Sequence, residues 1–550
     1  MKSKFLTFIL LCLSILLGSY LRLANLENNP NGLYVDEAST GYNAYSILKT
    51  GKDEYGKEFP YAFRFLGSYT PPFYTYLTIV PIHFFGLSVT SVRLVSAISG
   101  ILLIPVVFFF FKSLGLIRWS AYFAAFLVAI APWDIFYSRV GYETHLALLF
   151  YCLGVFLIWL SIKKPVWFIL GSCFMALSAM TYQSERLLAP LTIITFLLLY
   201  KQTFQSKESR KFLIFGLIAY VLISIPQILI FFTPASTARS FGLFYADTIS
   251  RQMNELFLPG SLSFLIAFSR EFFSQFFTYL SPRNLFFQPD SDLQRSLPEL
   301  SIFYPWLVIP FFVGLVSIIK KWKEANKFNF VLLILAPIPA SLTGDPFSTQ
   351  RAMSLLIPIT FTISVGLGRL LTWHTKLFSI LTIIFCVISL LTLYRSFAVL
   401  LPNERAKTWG FGFEQLAREI EKRPGENFII DTSRIKPAYI ELAFFLKYPP
   451  DKFQQEVEQS IKENYYINTS WSSHYKFSNI ETRAINWEED IYKENILVGD
   501  ELAISENQAG EHFLEKLFEI RDPIQRIVFI AFKTNPALKC SSQLNKKCST

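Results

Sequence analysis

Cysteine, histidine and methionine are scarce in these 550 residues, with 6, 5 and 5 copies respectively. Neither a C-x-x-C pair nor a histidine cluster can be found, so zinc modules have no support. Walker loops and G-x-G-x-x-G turns are missing as well, which removes the usual nucleotide cradles. Charge is low: 17% of residues are Asp, Glu, Lys or Arg, against 52% apolar and 17% aromatic, and the mean hydropathy is +0.38. A soluble chain of this composition would leave far too much apolar surface wet, so the sequence reads as a polytopic membrane protein. The net charge of +10 then speaks of topology and anionic lipid rather than of nucleic acid.

Basic residues mark the inner loops one after another: Lys2 and Lys4, Lys112 and Arg118, Lys163 and Lys164, Lys201 to Lys211, Lys320 to Lys327, and Lys376. Their parity predicts about eleven crossings, at 5–23, 92–111, 119–132, 145–162, 166–181, 188–200, 212–233, 303–319, 328–343, 352–371 and 377–397, with the N-terminus inside and the C-terminus outside. The apolar stretch 71–86 begins Pro71-Pro72, carries His83 and breaks that parity if it crosses, so it is expected to lie in the outer interface. The first segment has no A-x-A site after it and is expected to be an uncleaved anchor. No internal repeat of the secondary-transporter kind is found.

Past residue 398 the composition turns polar. Helical patterns at 413–422 and 438–447 alternate with strand-like runs at 428–431 and 527–532, predicting a small extracytoplasmic α/β domain over 399–550. The membrane part is expected to be 1–398, with 24–91 as a first outer loop containing interfacial helices. Cys540 and Cys548 fall in the tail, where an oxidising compartment would permit a disulfide.

Four charged clusters fall on the outer side. Asp36-Glu37 follows the first span almost at once, and acids beside hydrocarbon are costly unless used. Y-S-R-V-G-Y-E-T-H, Tyr137 to His145, places Arg139 four residues before Glu143, a spacing that also fits a surface helix ion pair. His145 reads as an interfacial residue. T-Y-Q-S-E-R, Thr181 to Arg186, holds Tyr182, Gln183 and Glu185, and an internal Glu185–Arg186 pair would close that turn. L-T-G-D-P-F-S-T-Q-R ends at Arg351, whose guanidinium suits a phosphate at headgroup depth. Carboxylates to activate an acceptor and arginines to neutralise a phosphate are the parts needed to move a group from a lipid phosphate to a hydroxyl or amine.

The order of one span, an outer loop with D-E, the P-P-F-Y segment, Arg93 heading a span and then P-W-D-I-F-Y-S-R-V-G-Y-E-T resembles the C-type membrane glycosyltransferases. Within them it looks most like the protein O-mannosyltransferase and aminoarabinose transferase group. Ser138-Arg139 to Glu143 is similar, more distantly, to the oligosaccharyltransferase catalytic subunit. The resemblance covers about residues 1–398. It implies a helical membrane domain, a polyprenyl-phosphate-linked sugar as donor, and inversion at the anomeric carbon. Asp36 would be the general base, beside Glu37, and Glu143 the acid of the second outer loop. Arg139, Arg351 and Arg186 would hold the lipid phosphate, with Tyr34, Tyr42, Tyr137, Tyr182, Gln183 and Glu185 lining a donor or acceptor pocket. The D-x-D at Asp290-Ser291-Asp292 lies away from the oligosaccharyltransferase position. No cofactor is therefore expected, a divalent metal being the open alternative. The acceptor is left open among protein, glycolipid and polysaccharide, and the expected location is a prokaryotic plasma membrane. The competing reading, a transporter or flippase for lipid-linked sugars, would put charges near the midplane in broken spans rather than at outer span ends.

Overall fold

The computed structural model describes residues 2–237, 245–256, 258–434, 437–456, 459–470, 472 and 474–542. The chain divides into two compact units. The first comprises residues 1–26, 68–74 and 93–398, and the second residues 27–67, 75–92 and 399–550. The outer loop thus does not stand apart from the C-terminal segment. Most of it folds into the same unit.

In the first unit a helix falls on each segment expected to cross: Lys2–Leu23, Val89–Ser113 (from residue 93 on), Arg118–Ile130, Glu143–Leu160, Trp167–Thr181, Glu185–Leu199, Lys207–Phe231, Val308–Lys320, Glu324–Leu335, Leu356–Trp373 and Thr375–Tyr394. Among the described residues, five helices are long and apolar enough to cross a membrane by length and composition, and several of the remainder are shorter apolar helices. Glu143–Leu160 packs on Trp167–Thr181, which packs in turn on Lys207–Phe231. Val308–Lys320 lies against Leu356–Trp373 at backbone distance. A Cβ on Gly314 would sit 1.9 Å from the Thr362 carbonyl oxygen, and one on Gly366 1.8 Å from that of Pro310. Small residues at a helix crossing permit this approach, and any side chain would force the helices apart.

Two helices in the first unit fall where the sequence reading placed no element. Helices Ala246–Glu255 and Gly260–Leu280 occupy the stretch between the spans at 212–233 and 303–319.

The second unit is built on a six-stranded sheet in the order Tyr475–Phe477, Ile480–Thr482, Phe428–Ile430, Ile496–Gly499, Ile527–Lys533, Glu515–Arg521. Phe428–Ile430 is parallel to both its neighbours, while the outer pairings are antiparallel. A central parallel strand is covered on both faces, which is why all three residues of F-I-I are buried. Helix Val35–Thr50 packs on Ala438–Phe445. Leu33, Ala38 and Tyr42 share one core with Phe413, Phe444, Ile480 and Phe529. The 71–86 stretch forms helix Phe73–Phe85, with Phe84 and Phe85 exposed and Ile82 in that core.

Cys540 is disulfide-bonded; Cys548, its expected partner, lies outside the described residues.

Candidate active site

Asp36 and Glu37 sit in the first turn of helix Val35–Thr50, where the helix dipole favours negative charge. They are not equivalent. Glu37 is fully buried, and its Oε2 accepts a hydrogen bond at 3.1 Å from the Tyr34 backbone N–H. That is the reach-back half of a capping box, so Glu37 helps to secure the helix start. Asp36 beside it is half-buried. Tyr34 is half-buried, edge-on to Trp409 with ring centroids 5.7 Å apart. Tyr42 does not line a pocket. It is fully buried, donates to the Tyr448 carbonyl at 3.0 Å and packs edge-on against Phe453.

The same unit buries further acids that sequence patterns did not single out. Asp53 and Glu54 are both inaccessible. Tyr465 donates to Asp53 at 2.5 Å, and Asn43 donates to Glu54 Oε1 at 2.9 Å. Burial pushes the Asp53 carboxyl up to about 6 and the Glu54 carboxyl up to about 8. Glu441, on the helix packed against Val35–Thr50, is likewise buried, and its carboxyl is raised well above the usual range by desolvation, with the charge of Asp36 adding to the effect.

In the first unit the charges form two networks. Arg22, Asp134 and His145 are all fully buried. Arg22 is ion-paired with Asp134 Oδ2, and His145 Nε2 lies 2.8 Å from Asp134 Oδ1. Arg22 also donates to the carbonyls of Gly18, Val128 and Ala129, tying the ends of two helices. His145 is therefore no interfacial residue. Arg139 belongs with this group in kind. Its guanidinium donates to the Leu21 carbonyl at 2.8 Å and to those of Ala24 and Asn25 at 2.9 and 3.0 Å, and lies 4.7 Å over the Phe397 ring. These contacts strap Arg139 to the end of the first helix. Glu143 is half-buried and heads its own helix.

The second network joins three sequence-distant segments. Asp345 accepts from Arg295 at 2.5 Å and lies 3.3 Å from Arg351, which also donates to Thr343 at 2.9 Å. Asp292 holds the other side of Arg295 at 3.1 Å. Asp290 is buried and takes hydrogen bonds from the backbone N–H and hydroxyl of Thr349 at 3.0 and 2.9 Å. Tyr137 meets the Thr349 hydroxyl at 2.9 Å. One turn on, Ser354 donates to Glu185 Oε1 at 2.5 Å. Glu185 thus pairs with Ser354, not with Arg186, whose half-buried side chain starts the same helix. Gln183 donates to the Tyr69 carbonyl at 3.0 Å, and Tyr182 is buried. The structure therefore brings Tyr137, Glu185 and Arg351 into one neighbourhood and adds Arg295, Asp345 and Asp290 to it. The D-x-D motif was the one available signal for this segment. Its first acid binds Thr349 and its second binds Arg295. Among the described residues, no three His, Cys, Asp or Glu side chains are grouped to hold a metal ion.

Residues 12–238 match the family described as dolichyl-phosphate-mannose-protein mannosyltransferase. Among solved structures, the chain is similar to ArnT from Cupriavidus metallidurans bound to undecaprenyl phosphate, with a TM-score of 0.53 and 14% identity over 94% of this chain and 97% of that one. It is also similar to the archaeal oligosaccharyltransferase AglB from Archaeoglobus fulgidus in complex with an inhibitory peptide and a dolichol-phosphate, at TM-score 0.50 and 11% identity over 96% of this chain and 74% of that one. No curated protein sequence matches. At such identities the likeness is one of fold, and it bears out the resemblance drawn from the sequence.

Proposed function

We propose that this chain, which has the C-type membrane glycosyltransferase fold and the mannosyltransferase family domain over residues 12–238, moves a sugar from a polyprenyl-phosphate carrier to an acceptor on the outer face of the membrane. The acceptor oxygen or nitrogen attacks the anomeric carbon as its proton passes to Asp36. The C1–O bond to phosphate breaks on the opposite side, inverting the centre and releasing polyprenyl phosphate. Negative charge growing on that phosphate is favoured by guanidinium, and positive charge on the ring by carboxylate, so both act on the transition state.

The observation that carries the reading is that the matched family domain contains Asp36, in a fold shared with a protein solved with undecaprenyl phosphate bound. Within the chain, Glu37 accepts from the Tyr34 amide at its helix start, and Asp36 beside it is the residue proposed as the base. Arg351 and Arg295, sharing Asp345, are the guanidiniums proposed to meet the donor phosphate. A prokaryotic plasma membrane is the proposed location, with acceptor choice residing in the second unit.

The test is sugar transfer by the purified chain in nanodiscs from polyprenyl-phosphate-linked donors, with Asp36→Asn beside the wild type. Loss of a general base lowers turnover by about 10²–10⁴-fold. Activity undiminished in a folded Asp36→Asn protein would overturn the mechanism.

A further inference from the structure

Helix Gly260–Leu280 is amphipathic in an unusual way. One face is packed: Ser263, Ala267, Gln275, Phe276 and Tyr279 are buried, with Ala267 against Tyr245 and Ile249. The opposite face is apolar and uncovered. Leu262 is 44% exposed, Leu265 58%, Ile266 38%, Phe273 53% and Phe277 63%. Their spacings of three, four and seven set them in one stripe along the helix. Between the two faces runs a ladder of stacked rings, Phe264, Phe268, Phe272 and Phe276, with successive centroids 5.9, 6.2 and 5.9 Å apart, which stiffens the helix along its length.

The helix is not suited to cross. Its 21 residues carry Arg270-Glu271 at their centre, where ionised groups are most costly in a bilayer. Nor does the stripe suit water, since a contiguous uncovered apolar face marks an interaction surface. Its occupant follows from continuity. In the same unit, helix Lys207–Phe231 is largely uncovered and closes on Phe231 and Phe232, 71% and 81% exposed, as expected of lipid-facing residues. Arg270 and Arg283, both exposed, have stems that can lie along apolar surface while their heads reach phosphate.

We propose that helix Gly260–Leu280 lies in the plane of the outer leaflet, with this stripe seated among the upper acyl chains, and that it sets the depth of the Arg295–Asp345–Arg351 cluster. The linkage is direct. At the helix end, the Tyr279 hydroxyl accepts from the Ser348 backbone N–H at 2.9 Å and lies 3.4 Å from the Asp345 carbonyl, while its ring packs on Phe347 at 5.8 Å. A helix fixed at the headgroup boundary therefore fixes the loop that holds both arginines. The seating stands independently of the glycosyl-transfer reading, whereas its consequence for the donor rests on it.

The test uses the full chain in nanodiscs of phosphatidylethanolamine and phosphatidylglycerol, with p-benzoylphenylalanine in place of Phe273, of Phe277 or, as the protein-facing control, of Phe276. Irradiation is expected to give about tenfold more lipid adduct at the first two positions than at the third. Equal yields at all three, or adducts to protein instead of lipid, would overturn the seating. The double variant Phe273→Glu, Phe277→Glu is expected to raise the KM for a polyprenyl-phosphate-sugar about tenfold with kcat retained. An unchanged KM would overturn the depth-setting role. A wild-type chain that transfers no sugar yet shows the same adduct pattern would end the transferase reading and leave the seating in place.

Discussion

Two charged networks in the membrane unit invite comparison. Around Asp134 every side chain is out of reach of solvent, and the acid faces Arg22 on one oxygen and His145 on the other. Around Asp345 the side chains keep some exposure, 14% for Arg351, 18% for Arg295 and 32% for Asp345, and both arginines meet Asp345 while Asp292 holds the other side of Arg295. The first network is closed. A buried ion pair fixes geometry, and breaking it strands a charge. The second is partly accessible, and its two arginines are met by Asp345 and Asp292, so an anion arriving there competes with these acids for the guanidinium hydrogens. Arginine count alone would not separate these two. What separates them is where the guanidinium hydrogens already point.

The contrast breaks most visibly at Asp134. Asp134→Ala leaves Arg22 and His145 buried without their acid, and is expected to cost about 3–5 kcal/mol, read as a lowered unfolding temperature in detergent. Residual folded protein should keep its KM for donor. The converse applies to Arg351→Ala and Arg295→Ala. Each removes a charge-assisted contact worth about 1.5–3 kcal/mol and should raise the donor KM by at least about tenfold while thermal stability changes little. A fall in stability with unchanged KM would reverse the assignment.

The acids of the second unit sharpen the same point. Glu54 is as buried as Asp134, and that burial, reinforced by the charge of Asp53, outweighs the hydrogen bonds from Asn43 and Tyr439 and the charge of Arg64, raising its carboxyl from the ordinary 4.5 to about 8. A group whose folded value is raised contributes stability that is complete below the unfolded value and is lost as pH rises through the folded one. The second unit should therefore lose stability between about pH 4.5 and 8 with a slope from this group approaching about 1.4 kcal/mol per pH unit. Glu54→Gln is expected to flatten that slope, measured by unfolding at several pH values. The smallest effect belongs to Arg139→Lys, which keeps the charge but loses part of the fork on three carbonyls. A loss of about 1 kcal/mol, without change in donor KM, would identify it as a strap.

The helices were legible because apolar runs bounded by basic loops carry both length and sidedness. F-I-I-D at 428–431 and I-V-F-I-A-F at 527–532 were legible as strands for the same reason, a continuous apolar run of strand length. What composition could not convey was company. Residues 27–67 read as a loop, yet Leu33, Ala38 and Tyr42 find their core among residues numbered above 400. The contact of the Glu37 carboxylate with the Tyr34 amide is a local one that a sequence pattern alone does not announce. Arg295 was not singled out because its partner Asp345 lies fifty residues away, and only the D-x-D acid Asp292, three residues before it, gives a local signal. The positions of Asp36 and Arg351 beside a span are recorded in the linear order itself.

The glycine contact between Val308–Lys320 and Leu356–Trp373 bears on traffic. With each backbone resting on the other at Gly314 and Gly366, these two helices can neither slide past a side chain nor swing apart without abandoning contact along the seam. They act as one post. If the chain takes the proposed lipid donor, that lipid is expected to enter between other helices, and the segment carrying Arg351, which runs straight into Leu356, is hung from this paired post.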